Sequence, residues 1–324
     1  MQKILITGVA GFVGFHLADK LLSENISVIG IDNINSYYDV DLKIKRLDIL
    51  KKNNLIFKKI DLNDKHKLTK CFEKYNPDIV VNLAAQAGVR FSLKKPDEYM
   101  LSNITGFYNI LEASKNINCK RLIYASSSSV YGQNSSQSFK ESHSTDYPLN
   151  LYAASKKTNE LLAYSYSNMF DLKSIGLRLF TVYGPWGRPD MAYFKFTKKI
   201  FTGEEINVFN YGNMIRDFTY IDDVISCIYK LIFIKNLKIF NKKVPHKIYN
   251  IGNNKPESLK RFISILEKEI GKQAKIKFVK FQVGDVKKTS ANISLINEII
   301  KFQPKTTIDE GLPRFVKWFK KFYN

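Results

Sequence analysis

Cysteine and histidine are scarce: Cys71, Cys119 and Cys227, with four histidines, are all that 324 residues contain. The cysteines stand far apart, with no C-x-x-C pair and no histidines at ligand spacing, so neither a disulfide framework nor a metal site is indicated. They read as buried apolar fillers. No stretch approaches the roughly 20 uninterrupted apolar residues that a membrane span requires. The amino terminus runs directly into an apolar strand with no leader pattern, so the expectation is a cytoplasmic protein with no membrane partner. Negative charge is also short, with 30 Asp and Glu against 51 Lys and Arg and a formal net charge of +21. A basic surface attracts phosphate, but the lysines are scattered in short groups such as Lys51-Lys52, Lys198-Lys199 and Lys320-Lys321, without a basic tail. No nucleic-acid partner is therefore expected, although a positive field would help to collect a small anionic ligand.

What is present is regular alternation. Short apolar runs near 3–7, 27–31, 55–60, 78–83, 120–126 and 173–179 are separated by amphipathic stretches. This pattern predicts an α/β fold with a doubly wound parallel sheet. After residue 180 the alternation degrades into a Gly/Pro-rich loop from Tyr183 to Pro189 and shorter mixed elements, which suit a smaller α/β lobe for substrate. The expected division is 1–180 and 181–324, interleaved, with a helix and a strand near 221–251 returning to the first lobe.

Gly8, Gly11 and Gly14 lie where the run Ile4-Leu5-Ile6 meets an amphipathic stretch from Phe12 to Leu22, the pattern of strand, tight turn and helix. Such a turn aims helix amides at phosphate, and the positive end of the helix dipole favours the anion. The second apolar run ends at Asp32, 18 residues after Gly14. A carboxylate there would accept hydrogen bonds from both adenosine ribose hydroxyls and repel a 2'-phosphate, which favours NAD over NADP as cofactor.

Tyr152-Ala-Ala-Ser-Lys156 places a phenol and an amine four residues apart, on one face of a helix. A tyrosine near its ordinary pKa of about 10 would need roughly 4 kcal/mol of differential stabilisation to titrate near 7, a total that a neighbouring ammonium and the cationic nicotinamide ring would supply together. Upstream, Tyr124-Ala-Ser-Ser-Ser-Ser-Val-Tyr131-Gly132 ends an apolar strand in hydroxyls, at the sheet edge where such folds bind ligands. Tyr152 is thus a candidate acid/base for a substrate hydroxyl.

These motifs resemble the extended short-chain dehydrogenases/reductases, the family of nucleotide-sugar epimerases and dehydratases. The likeness runs through TGVAGFVGFHLADKLL, GIDNINSYYDVDLKIKRL, NLAAQAGVRFSL, YASSSSVYG, LYAASKK, LRLFTVYGPWGRPDMAYFKFTK, YGNMIRDFTYIDDV and GDVKKTSAN. It implies a Rossmann-type fold, a homodimer formed through helices near 97–116 and 151–168, and NAD held by Gly8, Gly11, Phe12, Val13, Gly14, Asp32, Asn33, Asn35, Lys43, Asp61, Leu62, Leu83, Ala84, Ala85, Gln86, Tyr152 and Lys156. It implies Tyr152, Lys156 and Ser127 as catalytic residues, with Ser127 relaying between the sugar O4 and Tyr152. For a UDP-sugar substrate it implies Arg90, Ser127, Ser128, Ser129 and Thr181, with Arg188 and Arg216 on the diphosphate and Asp285 near the ribose. Val283 departs from the proline that relatives often carry there.

Relatives that dehydrate or decarboxylate carry acids after the hydroxyl residue, where Ser128 and Ser129 stand in this chain. Relatives acting on neutral sugars carry asparagine where it has Thr181. Three neutral hydroxyls suit a sugar carboxylate, and the implied reaction is reversible 4-epimerisation of UDP-glucuronate to UDP-galacturonate. The 4-keto form of that sugar is a β-keto acid, which loses carbon dioxide when its C–CO2 bond aligns with the carbonyl π system. Small donors could hold it out of alignment. The alternatives are a 4-epimerase of neutral or N-acetylated UDP-hexoses and a non-catalytic NAD-binding module.

Overall fold

The computed structural model describes residues 2–134, 136, 138–235, 240, 243–281 and 286–323. Its first half alternates strand and helix: β1 (Lys3–Thr7), α1 (Phe12–Ser23), β2 (Ser27–Asp32), α2 (Val40–Lys52), β3 (Ile56–Lys59), α3 (Lys65–Tyr75) and β4 (Ile79–Asn82). The chain continues through α4 (Val89–Lys94), α5 (Pro96–Tyr99), α6 (Gly106–Asn116), β5 (Arg121–Ser127), α7 (Leu151–Phe170) and β6 (Ser174–Leu179). Then come β7 (Thr181–Tyr183), α8 (Ala192–Thr202), β8 (Glu205–Phe209), β9 (Ile215–Tyr220), α9 (Ile221–Phe233) and β10 (His246–Ile251). The last elements are β11 (Pro256–Ser258), α10 (Leu259–Ile270), β12 (Lys275–Val279), α11 (Ser294–Ile300) and α12 (Ile308–Tyr323).

Seven strands form one parallel sheet in the order β10-β6-β5-β4-β1-β2-β3. Helices cover both faces, so the central strands are apolar on both sides: Ile4, Leu5, Ile6, Val80 and Val81 are all fully buried. The order runs outward in opposite directions from β1 and β4, and the gap between those strands is the switch point where ligands of doubly wound sheets sit. The turns after β1 and β4 close on each other there, and a Cβ on Gly8 would lie 2.7 Å from the Ala84 amide nitrogen.

Beyond β6 a three-stranded sheet, β11-β9-β7, and a two-stranded one, β12-β8, form a second layer with α8, α10 and α12. One apolar cluster runs from Ile4 and Leu17 through Tyr183 and Phe194 to Phe262 and Phe315, so this layer is packed onto the parallel sheet through a shared core. β10 returns to pair with β6 along His246–Ile251.

The helix expected near 97–116 is interrupted by a π-helical turn at Met100–Thr105. That turn aims Asn103 inward: its Oδ1 accepts from the Gln86 amide at 2.8 Å, and its Nδ2 donates to the Gln86 carbonyl at 2.9 Å and to Ser155 Oγ at 3.0 Å. Such insertions recur at functional sites, and this one ties the helix to the Gln86 backbone at the cleft wall.

Candidate active site

A cleft of about 460 Å³ opens at the carboxyl ends of the parallel strands, over the switch point. Its walls bring together Gly8, Gly11, Phe12, Val13, Gly14, Asp32, Asn33, Asn35, Lys43, Asp61, Leu62, Leu83, Ala84, Ala85 and Gln86 with Ser127, Ser128, Ser129, Tyr152, Lys156, Thr181 and Arg188. Residues more than 170 positions apart in the chain thus meet in one cavity.

The glycines serve the turn as well as any ligand. Gly8 has a φ of +71°, and a Cβ on Gly14 would stand 2.1 Å from the Gly8 carbonyl oxygen. Gly11 caps α1 without a side chain, and no acidic residue lies in the first helical turn, so an anion would meet the amides and the helix dipole unopposed. Asp32 follows at the end of β2, where Oδ2 accepts from the Ala10 amide at 3.0 Å and Oδ1 from the Ile34 amide at 2.8 Å. Burial raises its carboxyl above the usual range, while the Ile34 amide and the Lys43 ammonium work in the other direction. A neutral dihydroxyl partner suits that environment better than a second anion. Asn33 Nδ2 donates to Asp61 Oδ2 at 2.8 Å, and Lys43 Nζ donates to the Asn35 carbonyl at 2.7 Å, which fixes the loop after β2. Bare first-turn amides, a buried carboxylate on the next strand and an apolar floor from Leu62, Leu83 and Ala84 together fit a dinucleotide.

The reactive end lies between β5 and α7. Asn150 caps α7 by accepting from the Ala153 amide at 2.9 Å, so the helix starts one residue before Tyr152. The Tyr152 phenol is pushed up by burial and partly drawn down by its hydrogen bond with Ser127 and by the Arg188 charge. Lys156 is buried and donates to the Ala125 carbonyl at 2.8 Å; burial alone holds its ammonium at about 8. The lowering expected from the lysine together with the cationic nicotinamide ring calls for bound NAD, since in the protein alone burial raises the phenol. Ser127 Oγ also accepts from the Ser129 amide at 3.1 Å, so capping and site roles coincide in one hydroxyl.

Arg188 reaches the cleft already paired: Nε donates to Asp190 Oδ1 at 3.0 Å and Nη2 to Oδ2 at 2.6 Å. Burial opposes the Asp190 charge, but the Arg188 guanidinium more than offsets it and holds the carboxyl below its usual range. Tyr37 donates its hydroxyl to Asp190 Oδ2 at 3.1 Å, which joins the loops after β2 and β7. Arg90 and Arg216, expected on the substrate, are not among the lining residues. The Arg90 guanidinium lies 4.3 Å from the centre of the Phe209 ring, and Arg216 Nη1 donates to the Lys287 carbonyl at 3.1 Å. Asp285 and Val283 lie outside the described residues.

Arg46, Asn103, Glu160 and Asp190 support the site and were missed in the sequence; no pattern singles out Asn103, Glu160 or Asp190. Arg46 had a signal: it lies three residues after Lys43 on the buried face of α2.

The profile of the NAD dependent epimerase/dehydratase family matches residues 4–252. Protein CapI of Staphylococcus aureus is 50% identical over 334 residues, covering 99% of both chains. A probable UDP-glucuronate 4-epimerase of Rhizobium meliloti is 40% identical over 335 residues, covering 99% of this chain and 98% of that one. Among solved structures, UDP-glucuronic acid 4-epimerase from Bacillus cereus, in complex with UDP-glucuronic acid and NAD, superposes with a TM-score of 0.92 at 34% identity, covering 99% of this chain and 100% of that one.

Proposed function

The chain belongs to the NAD dependent epimerase/dehydratase family, and from that premise we propose that it interconverts UDP-glucuronate and UDP-galacturonate by epimerisation at C4. It is an NAD-dependent nucleotide-sugar epimerase. The observation that carries the substrate is the meeting of Ser128, Ser129 and Thr181 in the cleft that holds Tyr152 and Ser127. Relatives and structural neighbours named for UDP-glucuronate support the same reading.

Bound NAD supplies a hydride acceptor and donor at C4, so there is no net redox change. The Gly11–Gly14 amides would hold its diphosphate, Asp32 its ribose hydroxyls, and Asp61 with Leu62 its adenine. As the tyrosinate, Tyr152 takes the proton from the C4 hydroxyl as hydride leaves C4, and it returns that proton to O4 once the turned keto sugar has received the hydride back on its opposite face, with Ser127 bonded to the same oxygen. Lys156, one helical turn along α7 from Tyr152 and bonded to the Ala125 carbonyl, supplies the positive charge of the site. Arg188 meets the substrate diphosphate with a fork that matches phosphate oxygens. Ser128, Ser129 and Thr181 donate to the C5 carboxylate and hold it out of line with the keto group. Comparing kcat/KM for UDP-glucuronate and UDP-glucose tests this assignment. A preference for the neutral sugar would overturn it.

The remaining parts of the reading concern the whole molecule. The proposed division near residue 180 is interleaved: the dinucleotide lobe takes back β10, which pairs with β6, and the remainder of 181–324 forms the nucleotide-sugar lobe. No helix among the described residues is long and apolar enough to cross a membrane, and the proposed setting is the cytoplasm. A homodimer is supported by apolar side chains left exposed on the helical face: Leu101 is 50% exposed, Leu161 56% and Tyr164 51%. Light scattering that gave one protomer mass would exclude it.

A further inference from the structure

Arg46 stands on α2 with no exposed surface, and all of its hydrogen bonds go to neutral oxygens. Nη1 donates to the Ala10 carbonyl at 2.8 Å and to the Tyr38 hydroxyl at 2.9 Å. Nη2 donates to the carbonyls of Trp186 and, at 3.1 Å, Gly187. Ala10 is inside the glycine turn that faces the dinucleotide, whereas Trp186 and Gly187 immediately precede Arg188. One planar fork therefore spans from the cofactor cradle to the loop that presents the substrate-facing arginine.

That loop has little freedom to hold its shape otherwise. Trp186 has a φ of +58°, a left-handed conformation costly for a residue with a bulky side chain. Its ring is caged by Phe15 at 5.4 Å, Trp318 at 5.4 Å and Phe322 at 5.0 Å between centroids. His16, on α1, meets the Pro185 carbonyl at 2.9 Å. Gly187 admits no side chain, since a Cβ would lie 2.0 Å from the Tyr193 hydroxyl. The carbonyls of residues 185–187 are thus aimed at α1 and α2, the two helices that border the dinucleotide site.

We infer that Arg46 is a positioning residue that couples the two ligands, so that filling the glycine turn fixes the Arg188 loop for the nucleotide sugar and the sugar in turn secures the dinucleotide. This rests on the proposal that both ligands share this cleft. Lysine cannot replace it, because an ammonium is a single point and does not present two donor arms in one plane. Coupling is reciprocal by thermodynamic necessity and is typically about 5- to 150-fold in affinity.

The test is calorimetric titration of UDP into protein stripped of dinucleotide and into the same protein reloaded with NAD, for wild type, Arg46→Lys and Arg46→Met. The expected result is UDP binding at least about fivefold tighter with NAD in the wild type, and a ratio near one in both variants. A wild-type ratio near one, or an undiminished ratio in a folded Arg46→Met protein, overturns the inference. If Arg46→Met does not fold, Arg46→Lys decides, since a full ratio there would show that charge suffices without the fork. UDP binding to neither form of the wild type would instead remove the shared-cleft reading itself.

Discussion

Glu160 and Arg178 meet as a two-pronged ion pair, Oε1 to Nε at 2.8 Å and Oε2 to Nη2 at 2.9 Å, with both side chains almost wholly buried. Ser126 Oγ donates to the same Glu160 oxygen at 2.6 Å. Glu160 lies one helical turn beyond Lys156, Ser126 is next to Ser127, and Arg178 lies on the strand before Thr181. The pair therefore clamps α7 against β5 and β6 and sets the distance between the Tyr152 phenol and the serine run. The Arg178 guanidinium also covers the Tyr131 ring at 4.8 Å, which closes the cation on its remaining side.

Replacing Glu160 by Gln leaves a buried guanidinium without its counter-charge. The expected cost is about 3–5 kcal/mol of unfolding free energy, with a lower kcat because α7 shifts against β5. Urea denaturation checks the first part. A loss below about 1 kcal/mol would mean that the pair is not a clamp.

Tyr152→Phe removes the proton acceptor and keeps the ring volume beside Tyr99, whose centroid is 6.2 Å away. NAD binding should persist, while the rate on UDP-glucuronate drops at least about a thousandfold, toward the upper range for a positioned acid/base. Turnover within tenfold of the wild type would refute the role.

His16 is held at about 4, against an ordinary 6.5, first by burial, with the Pro185 carbonyl opposing the shift. Between those two pH values the unfolded chain binds more protons than the folded one. Stability therefore rises with pH across the window and is lost as pH falls from 6.5 toward 4. A His16→Gln protein, which keeps a side-chain donor but does not titrate, should show a shallower fall in thermal midpoint over that range. Parallel curves would contradict the assignment.

Ser128→Ala with Ser129→Ala removes two of the three hydroxyls proposed to hold the sugar carboxylate. The keto form should then align and lose carbon dioxide, so that UDP-pentose appears among the products. Slower epimerisation with no UDP-pentose would show that Ser128 and Ser129 do not control that alignment.

Much of this was legible because chemistry and periodicity coincide. The apolar run from Ile4 to Ile6 followed by Gly8, and Asp32 at the end of the next run, identify the switch-point turn and the carboxylate beside it without any contact map. What was hidden lies in tertiary pairing. Glu160 and Arg178 look like ordinary charges of a helix and a strand, and only the fold shows that they face each other in the core. Arg46 resembles a solvated helix residue in a lysine-rich stretch, although its spacing from Leu42 and Leu50 puts it on the buried face. The pairing of Arg188 with Asp190 was within two residues, yet the Gly/Pro-rich sequence around it does not reveal how the loop turns. Burial was hidden as well, since sequence spacing puts Lys156 one helical turn from Tyr152 but says nothing of the desolvation that raises the phenol in the protein alone.

The most direct test is proton NMR of the purified protein incubated with UDP-glucuronate and a little NAD until the anomeric signals stop changing. The account predicts UDP-galacturonate in equilibrium with substrate, without UDP-pentose and without accumulated NADH. UDP-galactose formed from UDP-glucose, with UDP-glucuronate left unchanged under the same conditions, would contradict it.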